Sequence, residues 1–178
     1  MNESGTGWLR ALRPLCLATL FGVSLSACAP FPEYHAPANG AELRGQVVEN
    51  ALSVLGEPYR FGGDAPGGFD CSGLIHYAYR QVGMNVPRTA AEQYRYADWL
   101  HLDRLEPGDL VFFRLQGTVS HVGMYIGDGR MVHAPSTGSN VRIDRVRDRF
   151  WRARYAGGAR LLPVGSSNDG SVSQFLAW

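Results

Sequence analysis

The spacing of apolar residues changes once along this chain, near residue 109, and that change restricts the possible folds more than any other feature. Before it, apolar residues recur at helical spacing. After it, they occur in short runs separated by glycine turns, which is typical of strands. Helices followed by an antiparallel sheet make an α+β fold, whereas alternating helices and strands would indicate a parallel one. The predicted strands are 110–113, 119–126, 130–134, 141–143 and 159–162.

Three helices are predicted before the sheet. The first should end at Gly56 and is followed by a glycine-rich loop over 57–68. Asp70 can cap the second, and Thr89 with Glu92 forms a capping box for a third that runs toward Trp99. The apolar faces of the first two helices are Leu43, Val47, Ala51, Leu52 and Leu55, and then Leu74, Ile75, Ala78, Tyr79 and Val82, before Gly83.

Several large side chains are predicted to pack rather than to bind a ligand. We expect Tyr94, Tyr96 and Trp99 to pack against the rest of the domain. The buried positions of the sheet should be Leu110, Phe112, Val122, Met124 and Ile126.

Composition excludes several classes of protein. The 178 residues suffice for one ordinary domain, and a hydrophobic content of 45% with 19% charged residues is neither that of a disordered chain nor that of a multi-span membrane protein. The formal net charge of +1 argues against a nucleic-acid-binding protein, which is usually strongly basic.

The N-terminal segment predicts export and lipid attachment. Arg10 and Arg13 precede an apolar stretch over 15–27, which is shorter than the roughly 20 residues of a membrane-spanning helix and typical of a signal peptide. The stretch ends in Leu25-Ser26-Ala27-Cys28, which resembles the lipobox of bacterial lipoproteins, where the new N-terminal cysteine is acylated. An ordinary cleaved signal, or an uncleaved apolar N-terminus, is the alternative.

The predicted organisation has four parts. Residues 1–27 are a lipoprotein signal peptide, and 28–39, with three prolines, form an extended tether. Residues 40–164 are the folded domain, and 165–178, rich in Ser, Gly and Asn, form a flexible tail.

One cysteine remains for chemistry. Cys16 would be removed with the signal peptide and Cys28 would hold lipid, so Cys71 has no disulfide partner. It is either a buried structural residue or a functional thiol. Its predicted place in the first turn of a helix favours the thiolate, while the adjacent Asp70 opposes it. A nucleophilic Cys71 therefore needs a histidine partner.

Two of the five histidines are candidates for that partner. His121 and His133 lie in predicted strands joined by Gly127-Asp128-Gly129. A three-residue loop pairs Ile126 with Arg130 and places both imidazoles on one face as diagonal neighbours, whereas a two-residue loop would place them on opposite faces. Two unrelated strand histidines are the alternative. The other three, predicted to be ordinary surface residues, are His35, His76 and His101.

Six ordered motifs resemble the NlpC family of papain-like bacterial cell-wall cysteine peptidases. They span more than half of the chain after residue 27. The motifs are Pro58-Tyr59-Arg60-Phe61-Gly62-Gly63, Gly68-Phe69-Asp70-Cys71-Ser72-Gly73-Leu74, Pro87-Arg88-Thr89, Pro107-Gly108-Asp109-Leu110-Val111-Phe112-Phe113, Ser120-His121-Val122-Gly123-Met124-Tyr125-Ile126-Gly127 and Val132-His133-Ala134-Pro135.

The resemblance implies a papain-like fold, with the N-terminal helices packed on a small antiparallel sheet, and a Cys-His-His triad. It makes Cys71 the nucleophile, His121 the base and His133 the third member. Tyr59 resembles the family tyrosine that stabilises the oxyanion together with the backbone N–H of Cys71; packing of the loop is its alternative role. An iodoacetamide-reactive thiolate is expected.

The resemblance also implies a peptide-binding groove lined by Asp70, Ser72 and Ser120. Each of the first two has a structural alternative. The alternative role of Asp70 is that of a helix cap alone, and the alternative for Ser72 is an exposed first-turn residue.

The implied reaction is hydrolysis of an amide bond in the stem or cross-link peptides of peptidoglycan, without a metal or organic cofactor. The bond follows a D-amino acid, either γ-D-glutamyl to diaminopimelate or D-alanyl to diaminopimelate. No accessory wall-binding domain precedes the motifs, which favours the second, endopeptidase reaction. Because Ala29 rather than Asp follows Cys28, the expected location is the periplasmic face of the outer membrane, or the outer surface of the membrane in a monoderm cell. The expected partners are stem peptides and, through the lipid, the membrane; no nucleic acid is expected.

Two other functions are open. A non-hydrolytic lipoprotein could bind wall peptides in the same groove. Alternatively, Cys71, His121 and His133 could supply three ligands to zinc.

A dense basic segment follows the last motif. Asp144 and Asp148 interleave with its arginines, so we predict a solvated, salt-bridged surface, with contact to anionic glycan or lipid as the alternative. The arginines are Arg142, Arg145, Arg147, Arg149, Arg152 and Arg154.

Overall fold

The structure, a computed structural model, describes residues 40–161. The predicted signal peptide, Cys28, the tether and the tail therefore lie outside the described residues. The helices are α1 (Gly40–Leu52), α2 (Cys71–Arg80), α3 (Ala90–Tyr96) and α4 (Arg149–Arg152), with a 3₁₀ turn over Leu102–Arg104. The strands are β1 (Asp64–Ala65), β2 (Gly68–Phe69), β3 (Asp98–Leu100), β4 (Leu110–Leu115), β5 (Thr118–Gly127), β6 (Arg130–His133), β7 (Arg142–Arg145) and β8 (Tyr155–Arg160).

A six-stranded antiparallel sheet in the order β3-β8-β4-β5-β6-β7 forms the body of the domain. Alternation along β4 sends Leu110 and Phe112 into the core shared with α1, α2 and α3, and Val111 and Phe113 into a smaller cluster on the other face. Trp151 of α4 belongs to that second cluster. The predicted α+β class, with N-terminal helices packed on an antiparallel sheet, is confirmed.

Local capping defines the predicted helix starts. The side chain of Asp70 accepts a 2.6 Å hydrogen bond from the backbone N–H of Gly73 at the start of α2. Thr89 and Glu92 form the reciprocal capping box at the start of α3. Helix α1 ends at Leu52, earlier than predicted, and a turn leads to Gly56, whose φ of +87° suits glycine.

The sequence prediction missed the shortest elements. The β1–β2 hairpin begins inside the loop predicted over 57–68 and ends one residue beyond it, and α3 ends at Tyr96, before β3, which contains Trp99. Strand β8 starts four residues before the predicted strand over 159–162, and β7 covers Arg142–Arg145 instead of 141–143. Elements of two to four residues are too short to show a period, so only pairing with distant strands reveals them.

The predicted core is largely confirmed. Leu110, Phe112, Val122 and Met124 are fully buried, whereas Ile126 is only partly buried against the core.

The packing prediction is confirmed for two of the three aromatic residues and is wrong for the third. Tyr94 and Trp99 contact each other with ring centroids 4.1 Å apart, as predicted. The prediction is wrong for Tyr96, whose surface is 70% exposed.

The β5–β6 hairpin reaches the predicted register by another route. Gly127 pairs with Arg130, so the loop has two residues, Asp128 and Gly129, both with positive φ. A bulge at Ile126 then restores the pairing of Met124 with Val132 that a three-residue loop would have produced. The predicted pairing of Ile126 with Arg130 is wrong, yet both histidines keep the same face because the bulge compensates for the shorter loop.

Among residues 40–161, no helix is both long enough and apolar enough to cross a membrane.

Candidate active site

The thiol of Cys71 lies at the N-terminal end of α2, against strand β5. Its Sγ is 3.8 Å from the carbonyl oxygen of Ser120. It also accepts a hydrogen bond from the backbone N–H of Val122. These are the two chain neighbours of His121. The cap at Asp70 and the packing of α2 on β5 thus bring the sulfur to the backbone on either side of the predicted base.

Two glycines explain why the chain can turn so tightly here. A Cβ atom on Gly73 would collide with the carbonyl oxygen of Gly63, which also accepts the backbone N–H of Asp70. The first turn of α2 therefore lies directly against the loop that contains Tyr59.

His121 and His133 form a buried pair. Nε2 of His121 and Nδ1 of His133 are 2.9 Å apart, and both side chains are almost completely buried. Nε2 of His133 is in turn 3.0 Å from Oδ2 of Asp144. The prediction that the two imidazoles share one face is confirmed.

Two residues of this site were missed in the sequence. Asp144 was predicted only as part of a salt-bridged surface, and Trp151 was not singled out. Trp151 stacks on His121 with ring centroids 4.9 Å apart, and its Nε1–H donates to Asp144 over 3.1 Å. The β6–β7 pairing, in which Met131 lies opposite Asp144, is the one signal that could have indicated the aspartate.

Burial determines the resting protonation of the site. It raises the pKa of the Cys71 thiol, and the Asp70 charge adds to this effect while the hydrogen bond from Val122 opposes it. Burial also lowers the pKa of His121 to about 3 and that of His133 to about 4. Burial thus favours a neutral thiol beside neutral imidazoles, in contrast to the expected thiolate. The first-turn location of Cys71 does not offset its desolvation.

Tyr59 lies beside the thiol. Burial raises the pKa of its hydroxyl, and the nearby Asp70 charge adds to this effect. The backbone N–H of Tyr59 donates to the carbonyl of Ser139 over 2.8 Å. A phenol that keeps its proton is a hydrogen-bond donor. Its role toward an oxyanion stays a prediction.

Both carboxylate oxygens of Asp70 accept hydrogen bonds. Arg88 donates two hydrogen bonds to it, at 2.9 and 2.8 Å, in addition to those from Gly73 and Gly62. Burial acts to raise the pKa of Asp70, but the Arg88 and Gly73 hydrogen bonds bring it below the ordinary value. The capping role of Asp70 is confirmed, and its contact with substrate stays a prediction.

The two predicted groove serines differ in environment. Ser72 is buried, not exposed as its structural alternative assumed, and its hydroxyl donates to Asp70 and accepts from Arg88. The hydroxyl of Ser120 donates to the carbonyls of Leu115 and Thr118, while its own carbonyl contacts the thiol. Their binding of substrate stays a prediction.

The remaining histidines lie away from the pair. His101 is exposed, as predicted, and His35 lies outside the described residues. His76 is partly buried, with Nδ1 2.9 Å from the carbonyl of Val86, so the prediction of an ordinary surface residue is wrong for it.

The predicted zinc alternative lacks a suitable geometry. No group of three or more His, Cys, Asp or Glu side chains within residues 40–161 could hold a metal ion. His121 and His133 direct one nitrogen each at the other, so these two atoms cannot both coordinate a common metal.

The basic segment is solvated but forms fewer ion pairs than predicted. Arg142 pairs with Asp144 at 3.0 Å, and the guanidinium of Arg154 lies 3.9 Å from the ring centroid of Phe150. The other arginines of the segment, all exposed, are Arg145, Arg147, Arg149 and Arg152.

Comparison with known proteins agrees with this geometry. The profile described as "NlpC/P60 family" matches residues 56–160. Among curated proteins, the chain is 45% identical over 122 residues to Murein DD-endopeptidase MepH of Escherichia coli, covering 65% of this chain and 45% of that protein. It is 40% identical over 120 residues to Gamma-D-glutamyl-L-lysine dipeptidyl-peptidase of Bacillus cereus, covering 66% of this chain and 36% of that protein. The chain thus spans less than half the length of these two relatives.

Solved structures extend the comparison to the fold. An NlpC/P60 family protein from Bacillus cereus superposes with a TM-score of 0.65 at 36% identity, over 67% of this chain and 40% of that chain. The NlpC/p60 domain of peptidoglycan hydrolase SagA superposes with a TM-score of 0.59 at 31% identity, over 66% of this chain and 98% of that chain. The matched profile covers more than half of the sequence and includes Cys71, His121 and His133. The chain therefore belongs to the NlpC/P60 family.

Proposed function

We propose that this protein is a peptidoglycan peptidase that hydrolyses amide bonds of stem or cross-link peptides, with Cys71 as nucleophile. The observation that supports this most directly is the pair of buried imidazoles, 2.9 Å apart, beside a thiol that touches the backbone on both sides of His121. A nucleophile, a base and a group that orients the base are the parts that acyl transfer requires.

Because burial favours the protonated thiol, the first chemical step includes a proton transfer. Nδ1 of His121 takes the thiol proton as the sulfur attacks the scissile carbonyl, so charge separation accompanies attack. The backbone N–H of Cys71 and the hydroxyl of Tyr59 donate to the resulting oxyanion. Collapse of the tetrahedral intermediate breaks the C–N bond, and the amine leaves with the proton from His121.

The second half of the reaction releases the acyl group. His121 takes a proton from water, the hydroxide attacks the thioester, and the new tetrahedral intermediate collapses to a free carboxylic acid. The C–S bond breaks, and the sulfur regains its proton from His121. The two halves together consume one water for each amide bond cleaved.

The cross-link bond between D-alanine and diaminopimelate is our proposed substrate. The relative from Escherichia coli bears the name murein DD-endopeptidase. The bond after γ-D-glutamate is the second candidate, since another relative bears the name of a γ-D-glutamyl dipeptidyl-peptidase. Because the Asp70 carboxylate already accepts hydrogen bonds from Arg88, Gly73 and Gly62, it offers little free negative charge to a substrate ammonium group. This supports cleavage within a cross-link over cleavage next to a free amine.

We also propose that the mature protein is lipid-anchored through Cys28, at the periplasmic face of the outer membrane in a diderm cell. The support is the sequence Leu25-Ser26-Ala27-Cys28 followed by Ala29. An anchor there would hold the domain next to the wall peptides that it cleaves.

Digestion of purified cross-linked muropeptides, followed by mass spectrometry, tests the function. The parent protein should release products one water heavier in total than the substrate, and the masses identify the bond. Cys71→Ala should release none, whereas His101→Ala, the matched exposed histidine, should match the parent. Binding of muropeptides without cleavage by the parent protein would replace this proposal with the wall-binding alternative.

A further inference from the structure

The chain of hydrogen bonds that begins at His121 does not end at His133. Oδ2 of Asp144 lies 3.0 Å from Nε2 of His133. The same oxygen accepts hydrogen bonds from Nη2 of Arg142 at 3.0 Å and from Nε1 of Trp151 at 3.1 Å. Nε of Arg142 also donates to it over 3.2 Å, so the aspartate is held by three residues, which lie in β6, β7 and α4.

The charge of Asp144 determines the direction of the hydrogen bonds behind it. Burial acts to raise the pKa of this carboxyl, but the hydrogen bonds from Arg142 and Trp151 bring it below the ordinary value. An ionised carboxylate only accepts hydrogen bonds. In the contact between His133 and Asp144, Nε2 of His133 must therefore be protonated and donate to Oδ2 of Asp144.

The proton on Nε2 of His133 also determines which nitrogen of His121 is protonated. A neutral imidazole has one N–H, so Nδ1 of His133 is an acceptor and Nε2 of His121 must donate to it. The remaining nitrogen of His121, Nδ1, is then left with a free lone pair. This is the protonation state that a base needs if it is to take a proton from the thiol.

We propose that Asp144 is a positioning residue that sets the tautomers of His133 and, through it, of His121. This inference rests on the proposed function, in which His121 takes the thiol proton. Asp144 does not touch the reacting atoms. It acts through His133, and Arg142 and Trp151 act on it by keeping its carboxylate ionised and in place.

The geometry distinguishes this role from that of a surface ion pair. Arg142 could pair with a carboxylate anywhere along the exposed edge strand, but the carboxylate oxygen that it contacts is also the one bound to the buried His133. Trp151 both donates to that oxygen and stacks on His121. When His121 accepts the thiol proton it becomes positively charged, and the carboxylate behind His133 also stabilises that charge.

Nitrogen NMR of the full-length chain labelled at histidine tests the proposal without any substrate. The chemical shifts of the four ring nitrogens of His121 and His133 show which of these nitrogens are protonated. The parent protein should have both His121 and His133 protonated at Nε2 alone. Asp144→Ala should give a mixture of tautomers in both rings, and Asp144→Glu should restore the parent pattern at least in part. Asp144→Leu, which has a similar size but no hydrogen-bond acceptor, replaces the alanine variant if that variant does not fold.

Kinetics on muropeptides provide the second readout. Asp144→Ala should lower kcat by about 10- to 100-fold with KM unchanged, the range by which loss of a hydrogen-bond partner weakens sites whose histidines bind a metal. The matched control is Asp148→Ala, an exposed aspartate in the same segment, which should leave tautomers and kcat as in the parent. Unchanged tautomers in Asp144→Ala or Asp144→Leu, or a kcat equal to that of the control, would overturn the proposal. If the parent cleaves no muropeptide, the proposed function fails, while the nitrogen shifts still decide whether Asp144 sets the tautomers.

Discussion

The indole of Trp151 lies stacked on the imidazole of His121, with 4.9 Å between ring centroids and 19° between ring planes. The same indole meets the edge of His133 at 4.9 Å. Trp151 is 5% exposed and comes from the four-residue helix α4, which follows the basic strand β7. The ring plane of the proposed base is thus determined by aromatic packing as well as by its hydrogen bond to His133.

Substitutions at His133 separate the peptidase from the zinc alternative. The amide oxygen of an asparagine can accept the hydrogen bond from His121, so His133→Asn should retain measurable peptidoglycan hydrolysis while His133→Ala loses substantially more. His121→Ala should be inactive. The rates of muropeptide release measure this. Equal losses in both His133 variants, together with chelator-sensitive activity in the parent protein, would instead indicate a metal site.

The reactivity of Cys71 should follow its raised pKa. Because burial disfavours the thiolate, alkylation by iodoacetamide should reach half of its maximal rate above the pH of about 8.5 that an ordinary cysteine shows. Peptide mapping by mass spectrometry isolates the signal of Cys71 from that of other cysteines. Rapid alkylation of Cys71 near pH 6 would mean that an ion pair with His121 exists before substrate binds.

The buried histidines should make folding stability fall in mild acid. Burial lowers the pKa of His133 from 6.5 to about 4 and that of His121 to about 3, so the unfolded chain binds more protons than the folded one below pH 6.5. The contribution of the two histidines to the free energy of unfolding is fully present above pH 6.5. It is lost progressively as the pH falls toward 4. Urea unfolding between pH 7 and 4 measures the slope, which His133→Asn should reduce by up to about 1.4 kcal/mol per pH unit. The exposed control, His101→Asn, should keep the parent slope, and an unchanged slope in His133→Asn would contradict the expectation.

Asp109 should be essential to the stability of the domain. It is completely buried, and its carboxylate accepts from Arg44 at 2.9 Å and from Arg160 at 2.8 Å. Asp109→Ala leaves two largely buried arginines with the exposed Glu106 as their remaining carboxylate partner, at a cost of about 3 kcal/mol in the free energy of unfolding. Urea denaturation measures this loss. The matched control is Asp128→Ala, whose side chain is 84% exposed, and a loss at Asp109 no larger than the loss there would refute the prediction.

Anchoring is tested at Cys28. Cys28→Ala should abolish acylation and leave the protein unprocessed or released from the membrane, since the thiol is the proposed site of lipid attachment. Labelling with a radioactive fatty acid and fractionation of membranes measure the change, and hydrolysis by the purified domain should stay intact. Continued lipid labelling of the variant would contradict the lipobox interpretation.

Local patterns were sufficient for much of the fold. The caps at Asp70 and Thr89 each involve hydrogen bonds across three residues, so the sequence alone locates the starts of α2 and α3. The shared face of His121 and His133 was predicted correctly, but from the wrong loop. The bulge at Ile126 that preserves the register in the structure has no local sequence pattern.

By itself, the sequence determined the α+β class, the helix that presents Cys71 and the strands that hold the two histidines, because periodicity and capping act over a few neighbouring residues. Only the tertiary structure decided that Asp144 and Trp151 contact the two histidines and that burial raises the pKa of the Cys71 thiol. Those properties depend on burial and on contacts between elements far apart in the chain. Desolvation of a side chain is the result of everything packed around it, and no short stretch of sequence contains that information.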